Sequence, residues 1–161
     1  MRLTDYLKTE YIRANISVEN KEDLLEKLVY LFEKNPKVLD IKKVLEDVFE
    51  REKILSTGVG KGFALPHAKT SAVTDILAAF CTIKEPLDYG SLDSEPVNIV
   101  FMLIGPAEMS SQYLKLMSRI SRMISNEEFK KKILTAQTSE ELYNLFAEEE
   151  KNYPEIQWKI F

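Results

Sequence analysis

Apolar residues at three- and four-residue spacing predict five helices along the chain. Asn20 precedes the first apolar stripe, and Asn35-Pro36 is expected to end that helix because proline disfavours helical geometry in the residue before it.

Asp40 is the predicted N-cap of the second helix, and Arg51 falls at or just beyond its last turn. The remaining helices have predicted N-caps at Ser110 or Ser111, at Asn126, and at Thr138 in a capping-box pattern with Glu141.

Two continuous apolar runs, residues 76–83 and 97–104, have the length and composition of strands that are buried on both faces. The segment between them is predicted to be a loop, with a short edge strand around residues 87–89. Residues 55–66 are rich in glycine and indicate a loop that feeds a brief strand, which His67 closes. Helices flanking buried strands predict a layered α/β domain whose sheet is covered on both faces.

Length and composition favour a single domain followed by an apolar tail. The chain has 161 residues, of which 45% are hydrophobic and 30% charged, an ordinary balance for one globular domain. We assign residues 1–150 to that domain and residues 151–161 to the tail. Because the tail contains Trp158 and Phe161, we expect it to dock on the body of the protein or on a second copy in a homodimer.

Charge and cysteine usage limit the partners and the compartment. With 22 basic and 26 acidic residues, the net charge of −4 gives no broad attraction for nucleic acid. No stretch approaches the roughly 18 apolar residues that a membrane span needs, so no direct membrane insertion is expected. Cys81 is the only cysteine, which excludes an internal disulfide and favours a reducing compartment. We therefore expect a cytoplasmic protein.

The candidate chemistry centres on His67, the only histidine. An imidazole with a pKa near ~6.5 is both a neutral nucleophile and a fair leaving group, so it can carry a phosphoryl group. Gly58, Gly60 and Gly62 can bring backbone N–H groups close to a phosphate, and Arg51 offers a planar fork for its oxygens. Position alone favours an ordinary loop histidine, however, and the glycines alone are also typical of a tight turn.

Other chemistries fit the sequence less well. Phe63 stands where the dinucleotide fingerprint has its third glycine, and Lys61-Gly62 lacks the hydroxyl residue that follows a P-loop lysine. One histidine and one cysteine are too few for a zinc site, and no Gly-x-Ser-x-Gly elbow is present. The pairs Glu127-Glu128 and Glu140-Glu141 lie at predicted helix starts, where solvation and the helix dipole explain them. We expect no cofactor and no metal.

Three motifs carry a resemblance to a known family: Arg51-Glu52, residues 56–62 and residues 64–70. They resemble the active-site signature of the fructose/mannitol-type enzyme IIA domain of the bacterial sugar phosphotransferase system, a signature that nitrogen-regulatory IIA proteins share. Residues 3–7, 92–101 and 113–116 extend the resemblance over nearly the whole body, to about residue 150.

The resemblance implies a mixed, about five-stranded sheet with helices on both faces. It also implies a phosphotransferase component with a phosphohistidine at His67 and an active-site arginine at Arg51. The phosphate would come from the phosphocarrier HPr and leave for a cysteine on a IIB domain; Cys81, in a predicted core strand, is not that cysteine. The matching phosphate-pocket residues would be Thr57, Gly58, Gly60, Lys61 and Gly62.

Two alternatives to sugar transport stay open. One is a nitrogen-regulatory-type protein whose phosphorylation state controls binding to partner proteins. The other is a fold that binds an anion passively, against which the retention of Arg51 and His67 argues.

The chain departs from the family at Gln112-Tyr113, where members often carry a second histidine. The Tyr113 hydroxyl can donate a hydrogen bond to phosphate or to His67, but it cannot become a cation near neutral pH. We therefore expect phosphate acceptance to survive and transfer to a IIB domain to be altered. A simpler interpretation is that Tyr113 only packs at a helix start.

Overall fold

A mixed six-stranded sheet runs through residues 1–156, the part of the chain that the computed structural model describes. The strands are β1 (Leu7–Ile16), β2 (Gly58–Gly60), β3 (Phe63–Ala64), β4 (His67–Lys69), β5 (Leu77–Leu87) and β6 (Val97–Gly105). The helices are α1 (Lys21–Tyr30), α2 (Ile41–Ile54), α3 (Ser110–Ile124), α4 (Glu127–Thr135) and α5 (Ser139–Glu150). Short 3₁₀ turns cover Leu3–Asp5 and Ala107–Met109.

Strand β6 organises the sheet. The main strand order is β1-β5-β6-β3-β2, and β4 also pairs with β6. Strands β5 and β6 are antiparallel, whereas β1 lies parallel to β5, and β3 and β4 lie parallel to β6. The predicted mixed sheet of about five strands is confirmed, with β4 as the additional strand.

The central strands bury side chains on both faces and so build two cores. Phe80 and Phe101 point to the same core as α3, α4 and α5, where the Phe80 and Phe146 rings meet edge to face at 4.8 Å between centroids. Cys81 and Val100 belong to the second core, which α1 and α2 cover. This double burial explains why both strands are continuous apolar runs. As predicted, Cys81 lies in a core strand, and burial raises the pKa of its thiol.

Three predicted helix caps are confirmed, and one is wrong. Each correct cap accepts a hydrogen bond from a backbone N–H of the first turn: Asp40 from Lys43, Asn126 from Phe129 and Thr138 from Glu141. Asn20, which was predicted only to precede the first helix, caps it by accepting from the Asp23 N–H. The Thr138 box is incomplete, because the Glu141 carboxylate accepts from the Gln137 N–H instead. Neither Ser110 nor Ser111 caps α3; a 3₁₀ turn runs directly into this helix, Met109 is its N-cap, and Ser110 donates to the Ala107 carbonyl.

Three further differences concern element boundaries. Helix α1 ends at Tyr30 rather than at Asn35, because tighter turns with hydrogen bonds three residues apart follow it. The predicted loop at 55–66 contains β2 and β3, and His67 begins β4 instead of closing a strand. The edge strand expected at 87–89 is the end of β5, which stops at Leu87. Strand β1 was not predicted.

The start of the tail packs on the body of the protein. Ile156 is 8% exposed and belongs to the core on the α3–α5 side, and its N–H donates to the Met1 carbonyl at 3.0 Å. The Arg119 guanidinium donates to the Pro154 carbonyl and stacks over the Tyr153 ring. Trp158 and Phe161 lie outside the described residues, so the homodimer stays a prediction. None of the helices in residues 1–156 is long and apolar enough to cross a membrane.

Candidate functional site

An open cleft of about 680 Å³ collects side chains from three segments that are distant in sequence. Arg51 comes from the last turn of α2, His67 from the first position of β4, and Tyr113 from the first turn of α3. Parallel pairing of His67 with Leu103 fixes β4 against the central strand β6. The sheet thus holds the histidine while two helix ends supply its neighbours.

One hydrogen bond defines the state of the His67 imidazole. Nδ1 lies 2.7 Å from the Leu65 carbonyl oxygen, and because a carbonyl only accepts, Nδ1 carries the proton. Nε2 is then the nitrogen with a free lone pair. Burial lowers the pKa of His67, and the nearby Arg51 charge lowers it further, while the bond to Leu65 acts in the opposite direction. The ring is therefore a neutral Nε2 base near pH 7.

Arg51 brings a permanent positive charge to the cleft. Its Nη1 donates to the Leu55 carbonyl at 3.0 Å, a bond that ties the side chain to the end of its own helix. A guanidinium has five N–H donors, and this is the one hydrogen bond that it makes within residues 1–156. The arrangement leaves donors to bind an anion next to His67.

Tyr113 carries a buried hydroxyl without a partner. The residue is 2% exposed, and its hydroxyl finds no hydrogen-bond partner among the described residues. Its ring centroid lies 6.3 Å from that of His67, and Lys69 Nζ lies 5.7 Å from the Tyr113 ring centre. Burial raises the pKa of Tyr113, so the hydroxyl stays protonated and can donate. Tyr113 thus both packs at the helix start and lines the cleft.

The glycine loop lies in a different environment. Gly60 and Lys61 line a separate cavity of about 340 Å³, together with Asp93 and Lys130. The Lys61 N–H donates to the Asp93 carboxylate at 2.9 Å, and Gly60 and Gly62 have φ angles of 109° and 83°, which favour glycine. The structure brings His67, Arg51 and Tyr113 together but does not bring Gly60 or Lys61 into their cleft. The phosphate-binding role of this loop stays a prediction.

Thr57 and Gly58, at the start of the loop, are buried and bond within the protein. Thr57 donates to the Glu52 carboxylate through its N–H at 2.8 Å and through its hydroxyl. Lys21 Nζ and the Tyr89 hydroxyl reach the same carboxylate at 2.7 and 2.9 Å. Burial alone would raise the pKa of Glu52, but the hydrogen bonds from Lys21 and Thr57 outweigh it and hold the pKa below its usual range. Glu52 is thus an ionised buried carboxylate outside the lining of the His67 cleft.

Residues 5–149 match the family model described as "Phosphoenolpyruvate-dependent sugar phosphotransferase system, EIIA 2". The chain belongs to this EIIA 2 family. Over 151 residues it is 32% identical to the fructose-specific EIIABC component of Bacillus subtilis, a match that covers 94% of this chain but only 24% of that protein. Over 152 residues it is 30% identical to the nitrogen regulatory protein of Bradyrhizobium diazoefficiens, covering 91% and 95% of the two chains.

Solved structures share the fold of this EIIA 2 chain. The nitrogen regulatory protein IIA-Ntr of Neisseria meningitidis superposes with a TM-score of 0.84 at 27% identity, covering 89% of this chain and 98% of that one. The mannitol enzyme IIA of Escherichia coli, solved in complex with phosphorylated enzyme IIB, gives a TM-score of 0.74 at 17% identity, with 88% and 99% covered. The resemblance identified in the sequence is confirmed, as is the classification as a phosphotransferase component.

The EIIA 2 cleft also contains residues that sequence reasoning missed. Lys43, Asp47 and Ile54 lie on the α2 face that carries Arg51, a face that their helical spacing would have revealed. Leu114 lies on α3, directly after Tyr113. Glu52 was noted only as part of a motif, because its partners Lys21 and Tyr89 are remote in sequence. No cluster of His, Cys, Asp and Glu fit to hold a metal ion occurs within residues 1–156.

Proposed function

We propose that this chain carries a phosphoryl group on His67 Nε2, accepted from the phosphocarrier HPr. The observation that carries the proposal is the bond from Nδ1 to the Leu65 carbonyl, which leaves Nε2 as the nucleophile in a cleft that contains Arg51. Membership of the EIIA 2 family supports the donor class. We place this activity in the cytoplasm, where the buried Cys81 thiol stays reduced.

The phosphoryl transfer from the donor to His67 needs no cofactor. The Nε2 lone pair of His67 attacks the phosphorus of the donor phosphohistidine, and the donor P–N bond breaks with its electron pair left on the donor ring. The proton on His67 Nδ1 stays hydrogen-bonded to the Leu65 carbonyl, which stabilises the positive charge that the ring acquires. Arg51 neutralises charge on the phosphoryl oxygens, and Tyr113 donates a hydrogen bond to one of them.

Onward transfer reverses these events at a second partner. A cysteine thiolate of a IIB domain attacks the same phosphorus, the Nε2–P bond breaks, and its electron pair returns to His67. The fold match to a mannitol enzyme IIA that forms a complex with phosphorylated enzyme IIB supports this acceptor class.

Intact-mass measurement after incubation with phosphorylated HPr tests the proposal. The wild-type chain should gain one phosphoryl group, the His67→Ala variant none, and a control Leu92→Ala variant, altered at an exposed position, as much as wild type. Because the His67 pKa lies below its ordinary value of 6.5, the uptake rate should stay flat at neutral pH and fall only once the ring protonates at lower pH. Absence of phosphate on the wild-type chain, or equal uptake by His67→Ala, contradicts the assignment.

A regulatory role is the second candidate, in which phosphorylation of His67 controls binding to a target protein. It is supported by relatives described as nitrogen regulatory proteins, one of which is 30% identical over 152 residues. A IIB transfer assay separates the two roles. Prompt passage of label from His67 to a IIB cysteine supports sugar transport and contradicts a purely regulatory protein.

A further inference from the structure

A continuous series of hydrogen bonds connects the buried carboxylate of Glu52 to the imidazole of His67. Glu52 accepts from the Thr57 N–H at 2.8 Å and from the Thr57 hydroxyl. The Thr57 carbonyl accepts from the Leu65 N–H at 2.9 Å, and the Leu65 carbonyl accepts from His67 Nδ1 at 2.7 Å. These bonds fix the backbone at Thr57 and Leu65 relative to Glu52 at the end of α2 and to His67 at the start of β4.

The carboxylate at the start of this series is itself held from several sides. Glu52 is 9% exposed, and a charge so deeply buried is strongly destabilising unless it is paired and hydrogen-bonded. Lys21 supplies the countercharge at 2.7 Å and also lies 4.3 Å from the centre of the Tyr89 ring, whose hydroxyl donates to the same carboxylate. Glu52 is thus a fixed point, and it directly follows Arg51 in the chain.

We propose that Glu52 is the positioning residue of the site: it aligns the Leu65 carbonyl with His67 Nδ1 and so keeps the imidazole in the tautomer that exposes Nε2. The inference rests on the proposed function, because it concerns the nucleophile of that reaction. Glu52 lies outside the cleft and does not touch the phosphoryl group; it acts through Thr57 and Leu65. The same anchor fixes the last turn of α2, which carries Arg51.

The chain contains a matched control for a purely structural effect. Glu150 is 1% exposed and accepts from the Leu3 N–H at 2.5 Å, from the Thr4 N–H at 3.2 Å and from Arg119 at 3.0 Å. Each carboxylate thus has four donors, one of them a cation: Glu150 has two backbone N–H groups and one hydroxyl besides Arg119, and Glu52 has one backbone N–H and two hydroxyls besides Lys21. None of its described partners lines the His67 cleft.

The experiment compares Glu52→Gln, Thr57→Val, Thr57→Ser and Glu150→Gln with the wild-type full-length chain. Two quantities are measured: the rate of phosphoryl uptake from phosphorylated HPr, corrected for the folded fraction, and the ¹⁵N shifts of the His67 ring, which report its tautomer. We expect Glu52→Gln and Thr57→Val to slow uptake about 10-fold and to populate the Nε2–H tautomer, since outer partners of a reactive histidine fix its orientation. Thr57→Ser keeps the hydroxyl, so the uptake rate and the ring shifts of this variant should stay at wild-type values.

Glu150→Gln should lower the stability while leaving the uptake rate and the ring shifts at wild-type values. If Glu52→Gln and Thr57→Val match Glu150→Gln in both quantities, Glu52 is only structural and the inference is overturned. If Glu52→Gln does not fold, the comparison of Thr57→Val with Thr57→Ser tests the inference instead. Wild-type uptake rate and ring shifts in Thr57→Val would then overturn it. If the wild-type chain takes up no phosphate, the proposed function fails, and the ring shifts alone then decide whether Glu52 positions His67.

Discussion

His67 and Tyr113 share one cleft but use their polar atoms differently. The Nδ1 atom of His67 is hydrogen-bonded to a backbone carbonyl, whereas the buried Tyr113 hydroxyl has no hydrogen-bond partner within residues 1–156. An unsatisfied buried hydroxyl destabilises a fold, and Tyr113 holds such a group next to the His67 ring. A phosphoryl oxygen on Nε2 would supply the missing acceptor.

Tyr113→Phe separates folding from function at this position. The free energy of unfolding should stay unchanged or rise by about 1 kcal/mol, because the variant removes an unsatisfied group and keeps the ring. Phosphorylated His67 should hydrolyse faster, because one donor to the phosphoryl group is lost. Urea unfolding and the decay of phosphorylated protein measure the two effects. If the phosphorylated variant hydrolyses at the wild-type rate, the role of Tyr113 is limited to packing.

The motif in the sequence predicted His67 and Arg51 as site residues, but it predicted neither the hydrogen bond of the His67 ring nor those of Glu52. The hydrogen bond to Leu65 depends on backbone geometry around Pro66, which residue types do not specify. Glu52 depends on Lys21 and Tyr89, which approach it only after α1, α2 and the loop following β5 have packed. The candidate site residues His67 and Arg51 could be predicted because one segment of the sequence contains both. The partners of Glu52 could not, because they are dispersed along the sequence.

At the scale of elements, the helix caps were predictable, and the first strand was not. A cap is a local bond between a side chain and a backbone N–H two or three residues later, so its signal is contained in the sequence. Strand β1 lies at the sheet edge, and only Leu7 and Ile12 of its ten residues are buried. Its pairing with β5, about seventy residues later, supplies the order that its own apolar pattern does not indicate.

The hairpin of β2 and β3 depends on a close approach at Gly58. A Cβ at this position would lie 2.1 Å from Ser91 Oγ and 2.9 Å from Ser91 Cα. Gly58→Ala should therefore lower the free energy of unfolding by about 1–3 kcal/mol through overpacking.

Urea unfolding measures the effect of Gly58→Ala, with Val59→Ala, at a position 60% exposed, as the control. Adding Ser91→Gly to Gly58→Ala should recover part of the loss, because the two nearest atoms are then absent. No recovery would mean that the cost arises in the backbone of the hairpin rather than at this contact.

At the scale of the whole molecule, one sheet separates two hydrophobic cores, and the start of the tail packs against the core on the α3–α5 side. The core on the α3–α5 side includes Leu3 from the first turn and Ile156 from the tail, which also forms a backbone bond to Met1. The pair of Arg119 and Glu150 lies between them and binds both ends through Pro154 and Leu3. The two ends of the described chain thus contribute to the same core.

Ile156→Ala should lower the free energy of unfolding by about 2 kcal/mol, because it removes buried methyl groups at the edge of this core. Leu92→Ala, at a position 73% exposed, is the control and should change the stability by less than about 0.5 kcal/mol. Thermal and urea unfolding measure both. Equal stability of the two variants would show that the tail contributes nothing to the core.

The contact between Glu150 and the N–H groups of Leu3 and Thr4 has a consequence for folding during synthesis on the ribosome. These partners are separated by 147 and 146 residues, and β1 must wait for β5 before it can pair. A nascent chain therefore carries its first strand unpaired until more than half of the domain has been made. The bonds from Leu3 and Thr4 to Glu150 can form only after residue 150 has left the exit tunnel, so the two ends of the described chain are joined late in synthesis.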